Sequence, residues 1–169
     1  MKELLLFTDG SVDNASKVGY GAFLLVAKTV ALDAIDELSD QINVQRFEQT
    51  SSTRLELQTL LWALGEVQTT ECKLTIFTDS QNIISLAGRR HKLEQYNYRS
   101  KQNRRLSNDQ LYRDFFRLTD RLNCEFIKVP GHRAAQQKNI IDNIFSLVDK
   151  ASRRALREGT FSSRELKDD

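Results

Sequence analysis

Apolar and polar positions alternate between two rhythms along this chain. A near-continuous apolar run, Leu4-Leu5-Leu6-Phe7, ends in Thr8-Asp9-Gly10-Ser11, and the phrase returns as Leu74-Thr75-Ile76-Phe77-Thr78-Asp79-Ser80-Gln81. Short runs of this kind fit strands buried on both faces of a sheet, each ending at an aspartate. A second extended run, Gly19 to Val26, carries glycines that leave room for close backbone approach. Ile42, Val44 and Phe47 approximate a third strand, antiparallel to the second. Between them, residues 28–40 combine a short helical pattern with clustered acids and read as a decorated connection. The spacing of Leu57, Leu60, Leu61, Leu64 and Val67 predicts a helix, which Thr53-Arg54-Leu55-Glu56 would open as a capping box. Residues 73–77 predict a fourth strand, 80–87 a short helix stopped by Gly88, and 107–122 a further helix. A fifth strand over 125–129 ends at Pro130-Gly131. The apolar stripe of Ile141, Ile144, Phe145, Val148, Ala151 and Ala155 predicts a last helix over 140–156. Strands and helices in this order make a mixed α/β sheet with helices on its faces.

Length and composition add limits. At 169 residues, 40% apolar and 28% charged, the chain suits one globular domain. Residues 1–158 are expected to form it, with 159–169 a polar tail that frays. The formal net charge of +2 does not announce a nucleic-acid binder by itself, so the distribution of charge matters more than its sum. Cys72 and Cys124 form no CxxC pair and read as small core residues. No signal-like segment opens the sequence and no apolar run approaches a membrane span, so a cytoplasmic location is expected.

The candidate chemistry is carboxylate chemistry. Asp9 and Asp79 close two strands that would lie side by side, which brings both acids to one sheet edge. Either copy alone has an ordinary explanation, since Asp9-Gly10 is a good turn and Asp79 or Ser80 a good helix cap. Glu56 could equally be the reciprocal member of its capping box. In the last helix Asp149 flanks the apolar stripe, and Asp142, seven residues earlier, lies on nearly the same face. Spacing leaves the choice between them open.

Five motifs occur in order across nearly the whole chain: Phe7-Thr8-Asp9-Gly10-Ser11, Ser52-Thr53-Arg54-Leu55-Glu56-Leu57, Phe77-Thr78-Asp79-Ser80-Gln81, Val129-Pro130-Gly131-His132, and Val148-Asp149-Lys150-Ala151-Ser152-Arg153-Arg154-Ala155-Leu156. Together they resemble the ribonuclease H family, type 1. The resemblance implies the ribonuclease H-like fold, a five-stranded mixed sheet of order 3-2-1-4-5 flanked by helices. It also implies endonucleolytic hydrolysis of the RNA strand in RNA–DNA hybrids, leaving 5′-phosphate and 3′-hydroxyl ends. Asp9, Glu56, Asp79 and Asp149 take the places of the family's metal-binding acids, with Asp142 as the competitor because its distance from His132 is the more usual one. Mg²⁺, two ions per site, is the implied cofactor, with Mn²⁺ as a substitute. Such hard ions prefer carboxylate and water oxygens. A pair of them about 3.5–4 Å apart activates the attacking water and stabilises the leaving oxygen. His132 corresponds to the family's loop histidine, which assists proton transfer or product release.

The expected partner is an RNA–DNA hybrid, bound by a monomer away from any membrane. Arg89, Arg90, Lys92, Arg99, Lys101, Arg104 and Arg105 face one acid, Glu94, within the same stretch, interleaved with Tyr96 and Tyr98. This local excess should attract phosphates, and it falls where the family carries its basic protrusion. The resemblance further maps Ser51, Ser52 and Asn108 onto contacts to the DNA strand, and Gln81, Gly10 and Ser11 onto minor-groove or ribose contacts. Departures are visible: the first loop lacks prolines and most glycines, Ser52-Thr53 replace an asparagine pair, and the protrusion has no tryptophan. A noncatalytic hybrid-binding module and a DNA-cutting nuclease of the same fold are the alternatives.

Overall fold

The computed structural model describes residues 1–31, 35–130 and 139–165. Five strands make one sheet of order β3-β2-β1-β4-β5, as the resemblance implies. β1 (Lys2–Asp13) pairs antiparallel with β2 (Val18–Ala27) and parallel with β4 (Cys72–Thr78). β3 (Asn43–Phe47) pairs antiparallel with β2 at one edge, and β5 (Asn123–Lys128) parallel with β4 at the other.

The central run of β1 is apolar without interruption because both of its faces are covered. Leu4 and Leu6 join a core with Leu57, Leu60, Leu64 and Phe115, on the side of α3 (Ser52–Gly65) and α5 (Asp109–Arg121). Leu5 and Phe7 point the other way, into a core with Phe145 and Val148 of α6 (Ile140–Glu165). Phe7 and Phe77 stack there at 4.8 Å between ring centroids, tying the paired strands beneath the two aspartates.

Several elements depart from expectation for physical reasons. β1 does not stop at Asp9: it stays paired with β2 through Asp13↔Val18, whereas its pairing with β4 ends at Phe7↔Phe77. Asp9 thus lies where one neighbour leaves and the other continues. The residue 28–42 connection contains two single-turn helices, α1 (Lys28–Ala31) and α2 (Ile35–Leu38), then a 3-10 turn over Ser39–Gln41. Leu38, fully buried, anchors it to the second core.

Helix α4 (Gln81–Gln95) runs straight through Gly88. Its following residues are good helix formers, and Arg90 and Glu94 pair one turn apart. The helix ends instead where Asn97 and Tyr98 take left-handed φ values of 50° and 58°. Similarly, α6 continues to Glu165, beyond the last apolar stripe residue. Arg154 and Glu158 pair along it, and Gly159 lies so close to Tyr20 that an added Cβ would come within 2.2 Å of the phenol oxygen. No described helix is long and apolar enough to cross a membrane.

Candidate active site

Three elements deliver the acids. Asp9 comes from β1, Asp79 from the residue after β4, and Asp149 from the middle of α6, whose buried face packs on β1. Asp9 and Asp149 share a side-chain hydrogen bond, and Asp79 lies close enough to both to repel their charge. Glu56, in the second turn of α3, faces Asp79 from the opposite side. A small pocket lined by Thr8, Asp9, Glu56, Thr59, Thr78 and Asp79 joins three of these acids, Asp9, Glu56 and Asp79. The sheet and two helices therefore bring together the four carboxylates named from sequence.

Tight packing sets this geometry. A Cβ on Gly21 would fall 2.1 Å from the Thr59 hydroxyl oxygen, and one on Gly19 2.7 Å from a Leu55 methyl. The glycines of β2 let α3 settle against the sheet, which carries Glu56 to the acids. Gly10 serves the same contact, since its missing side chain makes room for Leu55. The Gly10 amide meanwhile hydrogen-bonds the Asp9 carboxylate.

The capping box expected at α3 is displaced. Ser51 is the cap, and its hydroxyl accepts from the Arg54 amide at 3.2 Å. Glu56 is thereby released from capping, and its Oε2 accepts a 2.6 Å hydrogen bond from Ser80. Ser80 also caps α4 by accepting from the Ile83 amide at 3.2 Å. One buried hydroxyl thus fixes the start of one helix and the acid of another.

Asp142 and Asp149 differ in their partners as well as their place along α6. Asp142 Oδ2 accepts from the Asn139 amide at 3.2 Å, while Asn139 Oδ1 accepts from the Asp142 amide at 3.0 Å. This reciprocal pair closes the start of α6, about 10 Å along the axis from Asp149. Asp149 bonds to Asp9 and pairs with Arg153 at 3.0 Å.

Burial and mutual repulsion make Asp9, Glu56 and Asp79 reluctant to ionise. Asp9 is pushed up to about 8, first by burial, then by the charge of Asp79 and the hydrogen bond to Asp149. Burial also raises Asp79 and Glu56, while the Ser80 hydrogen bond opposes the shift at Glu56 and Lys128 and Arg153 oppose it at Asp79. Among the described residues no three donors already converge on one point as a closed metal site. Asp9 and Asp149 instead lie within hydrogen-bonding reach of each other, and Asp149 also pairs with Arg153. An all-oxygen, self-repelling donor set suits a hard divalent cation.

The candidate nucleic-acid contacts differ in how free they are. Ser51 and Ser52 are exposed at the start of α3, and Asn108 adjoins them because its Oδ1 accepts from Arg54 Nη1 at 3.1 Å. Gln81 is exposed beside Asp79, its Oε1 accepting from Lys128 Nζ at 2.8 Å. Ser11 uses its hydroxyl internally, 3.0 Å from the buried Ser152 hydroxyl of α6.

In the basic run, Arg90 is bound to Asp120 at 2.6 and 2.8 Å, bonded to Glu94 at 2.9 Å, and laid over the Phe116 ring. Arg89 reaches Asn82 Oδ1 at 2.7 Å, Arg99 the Asn103 carbonyl at 3.1 Å, and Arg105 pairs with Asp109. Tyr98 is buried and lies 4.1 Å from the Arg113 guanidinium, whereas Tyr96 is exposed. Lys92, Lys101 and Arg104 have no acidic partner among the described residues, and Lys92, Lys101 and Tyr96 line a shallow pocket with Arg89 and Arg99. His132 lies outside the described residues.

Lys128 is the residue the sequence reading missed. Its signal was available: it stands four positions before His132, at the end of a strand expected beside β4, where an alternating pattern would place it next to Asp79.

Acids gathered where the parallel strands of a sheet of this order end define the class as the ribonuclease H-like fold. Family membership follows from sequence: residues 1–155 match the RNase H family model, and the chain belongs to that family of nucleases. It is 27% identical over 147 residues to a ribonuclease H of Chlorobium luteolum, covering 85% of this chain and 92% of the relative. It is 26% identical over 157 residues to a ribonuclease H of Moorella thermoacetica, covering 91% and 96%. The structure of a foamy viral protease-reverse transcriptase in complex with dsDNA shares the fold, with a TM-score of 0.59 at 10% identity over 89% of this chain and 93% of that one.

Proposed function

We propose that this chain is an endoribonuclease that hydrolyses the RNA strand of RNA–DNA hybrids, leaving 5′-phosphate and 3′-hydroxyl ends. The observation that carries the reading is the gathering of Asp9, Asp79 and Asp149 where the paired parallel strands end, with Glu56 beside Asp79, so that burial and like charge push the Asp9 carboxyl up to about 8. A group so strained in isolation is one that a cation would relieve. Two Mg²⁺ or Mn²⁺ ions held by Asp9, Glu56, Asp79 and Asp149 would activate the attacking water and stabilise the leaving oxygen.

The remaining roles belong to the chain. Ser80 holds Glu56 toward the acids through its 2.6 Å hydrogen bond. Ser51, Ser52 and Asn108, gathered at the α3 N-terminus with the Arg54 guanidinium, suit a phosphate of the uncut DNA strand. Lys92, Lys101 and Arg104 add attraction for the backbone farther along. In the reaction, a water gives up a proton to solvent and its oxygen bonds to phosphorus as the bond from phosphorus to the 3′-oxygen breaks. The departing oxygen takes a proton, and His132 is the proposed donor on the strength of its motif.

Cleavage of matched RNA–DNA, RNA–RNA and DNA–DNA duplexes, each with Mg²⁺ or Mn²⁺, tests this reading. Cutting confined to the RNA strand of the hybrid is expected. Equal cutting of DNA–DNA duplexes would replace it with a DNA nuclease, and hybrid binding without any cutting with a noncatalytic module.

A further inference from the structure

Lys128 ends β5 in register with Thr78, the last residue of β4. The Val129 amide donates to the Thr78 carbonyl at 2.8 Å, so the two strand ends are fastened beside Asp79. From there the Lys128 ammonium reaches Gln81 and donates to its Oε1 at 2.8 Å. Gln81 opens α4 directly behind the Ser80 cap, so its backbone is fixed while its side chain is exposed.

An ammonium has donors only, whereas a primary amide has one acceptor end and one donor end. Contact with Lys128 therefore decides which end of the Gln81 amide is left over. With Oε1 engaged, the Nε2 hydrogens are the end left to meet a ligand. A 2′-hydroxyl oxygen accepts such a hydrogen bond, and only an RNA strand offers one.

We propose that Lys128 is a positioning residue that holds Gln81 as a hydrogen-bond donor toward a 2′-hydroxyl beside the acids, and so strengthens the preference for hybrid over DNA duplex. The inference rests on the hybrid-cleaving reading of this site. The ammonium also lies near enough to Asp79 to favour its charged form, which agrees with a position at the site's edge. The competing role for an exposed lysine is a simple phosphate contact, and salt dependence separates the two.

The test measures binding of the full chain, in chelator at low salt, to labelled RNA–DNA and DNA–DNA duplexes of one sequence. Lys128→Met and Gln81→Met should each lower the ratio of hybrid to DNA affinity by about 3- to 10-fold. The double variant should lose no more than either single one, and Lys128→Arg should retain most of the preference. The slope of log affinity against log salt should stay at its wild-type value in Lys128→Met. A slope reduced by about 0.9 with the ratio unchanged would make Lys128 a phosphate contact and overturn the proposal. Additive losses, or no loss, would overturn it as well. With Mg²⁺, Lys128→Met should raise KM for the hybrid more than it lowers kcat, and circular dichroism should match wild type. Failure of the wild-type chain to prefer hybrid would instead sink the reading of the site on which this rests.

Discussion

The acid cluster and the basic run are both concentrations of like charge, yet the fold treats them in opposite ways. At the sheet edge, Asp9, Asp79, Glu56 and Asp149 are brought together from separate elements and partly buried, and the first three are pressed toward protonation. In residues 89–105 the charges are contiguous in sequence and divided, some committed to neighbours and others left without an acidic partner among the described residues. Asp120, Glu94 and Asp109 absorb Arg90 and Arg105, and Asn82 engages Arg89. A charged group left in conflict at its site needs something the chain does not supply, whereas one already satisfied serves the fold. Density of charge along the sequence is therefore a poor guide to which charges are free for a ligand.

The largest expected effect comes from relieving the conflict at its centre. Asp9→Asn should cut hybrid cleavage by at least three orders of magnitude, about 4 kcal/mol of barrier, while the fold persists. Stability supplies an independent measurement. Because Asp9 is raised to about 8 in the folded chain from an ordinary 3.8, its contribution without metal is fully present below about pH 4 and lost as pH rises through about 8. In chelator, thermal melts should therefore find Asp9→Asn gaining on wild type as pH rises, and melting several degrees higher at pH 9. Added Mg²⁺ should raise the wild-type midpoint and leave the variant nearly unmoved. A variant less stable than wild type at pH 9 in chelator would mean that the Asp9 charge is already balanced within the chain.

Ser80 probes how rigidly the acids are held. Ser80→Ala removes both the α4 cap and the hydrogen bond to Glu56, so a loss of about 1–2 kcal/mol of stability is expected in urea melts. Cleavage should fall by about tenfold through kcat. Ser80→Thr, which keeps the hydroxyl, should recover most of both. Loss of stability with an unchanged rate would show that Glu56 keeps its place without this bond.

The strand order and the grouping of the four acids were legible because short buried strands ending in aspartate leave little freedom about where those aspartates go. The choice between Asp142 and Asp149 was not legible from spacing, since seven residues return a helix to nearly the same face. What separates them is the Asn139 side chain, which takes Asp142 into the helix start. Glu56 was open to a capping role for a related reason: serines and threonines at 51, 52 and 53 all suit an N-cap, and only the approach of α3 over the β2 glycines selects Ser51. Gly88 misled as a helix stop because it never leaves helical geometry and the favourable residues after it carry α4 onward. The Asp120 partner of Arg90 was hidden for the plainest reason, that it lies 30 residues away.

The smallest expected effect tests the other side of the comparison, the division of the basic run into free and committed charges. Lys101→Ala with Arg104→Ala should reduce the slope of log hybrid affinity against log salt by up to about 2, one counterion for each phosphate contact, at unchanged thermal stability. Arg90→Ala should do the reverse. Its guanidinium gives up two hydrogen bonds to Asp120, one to Glu94 and a stacked position over Phe116, so a fall of about 2 °C in Tm is expected with the salt slope intact. Equal slopes in both variants would mean that hybrid binding pulls Arg90 away from Asp120. In that case the pairing belongs to the free protein alone, and the basic run has more usable charge than its folded partners suggest.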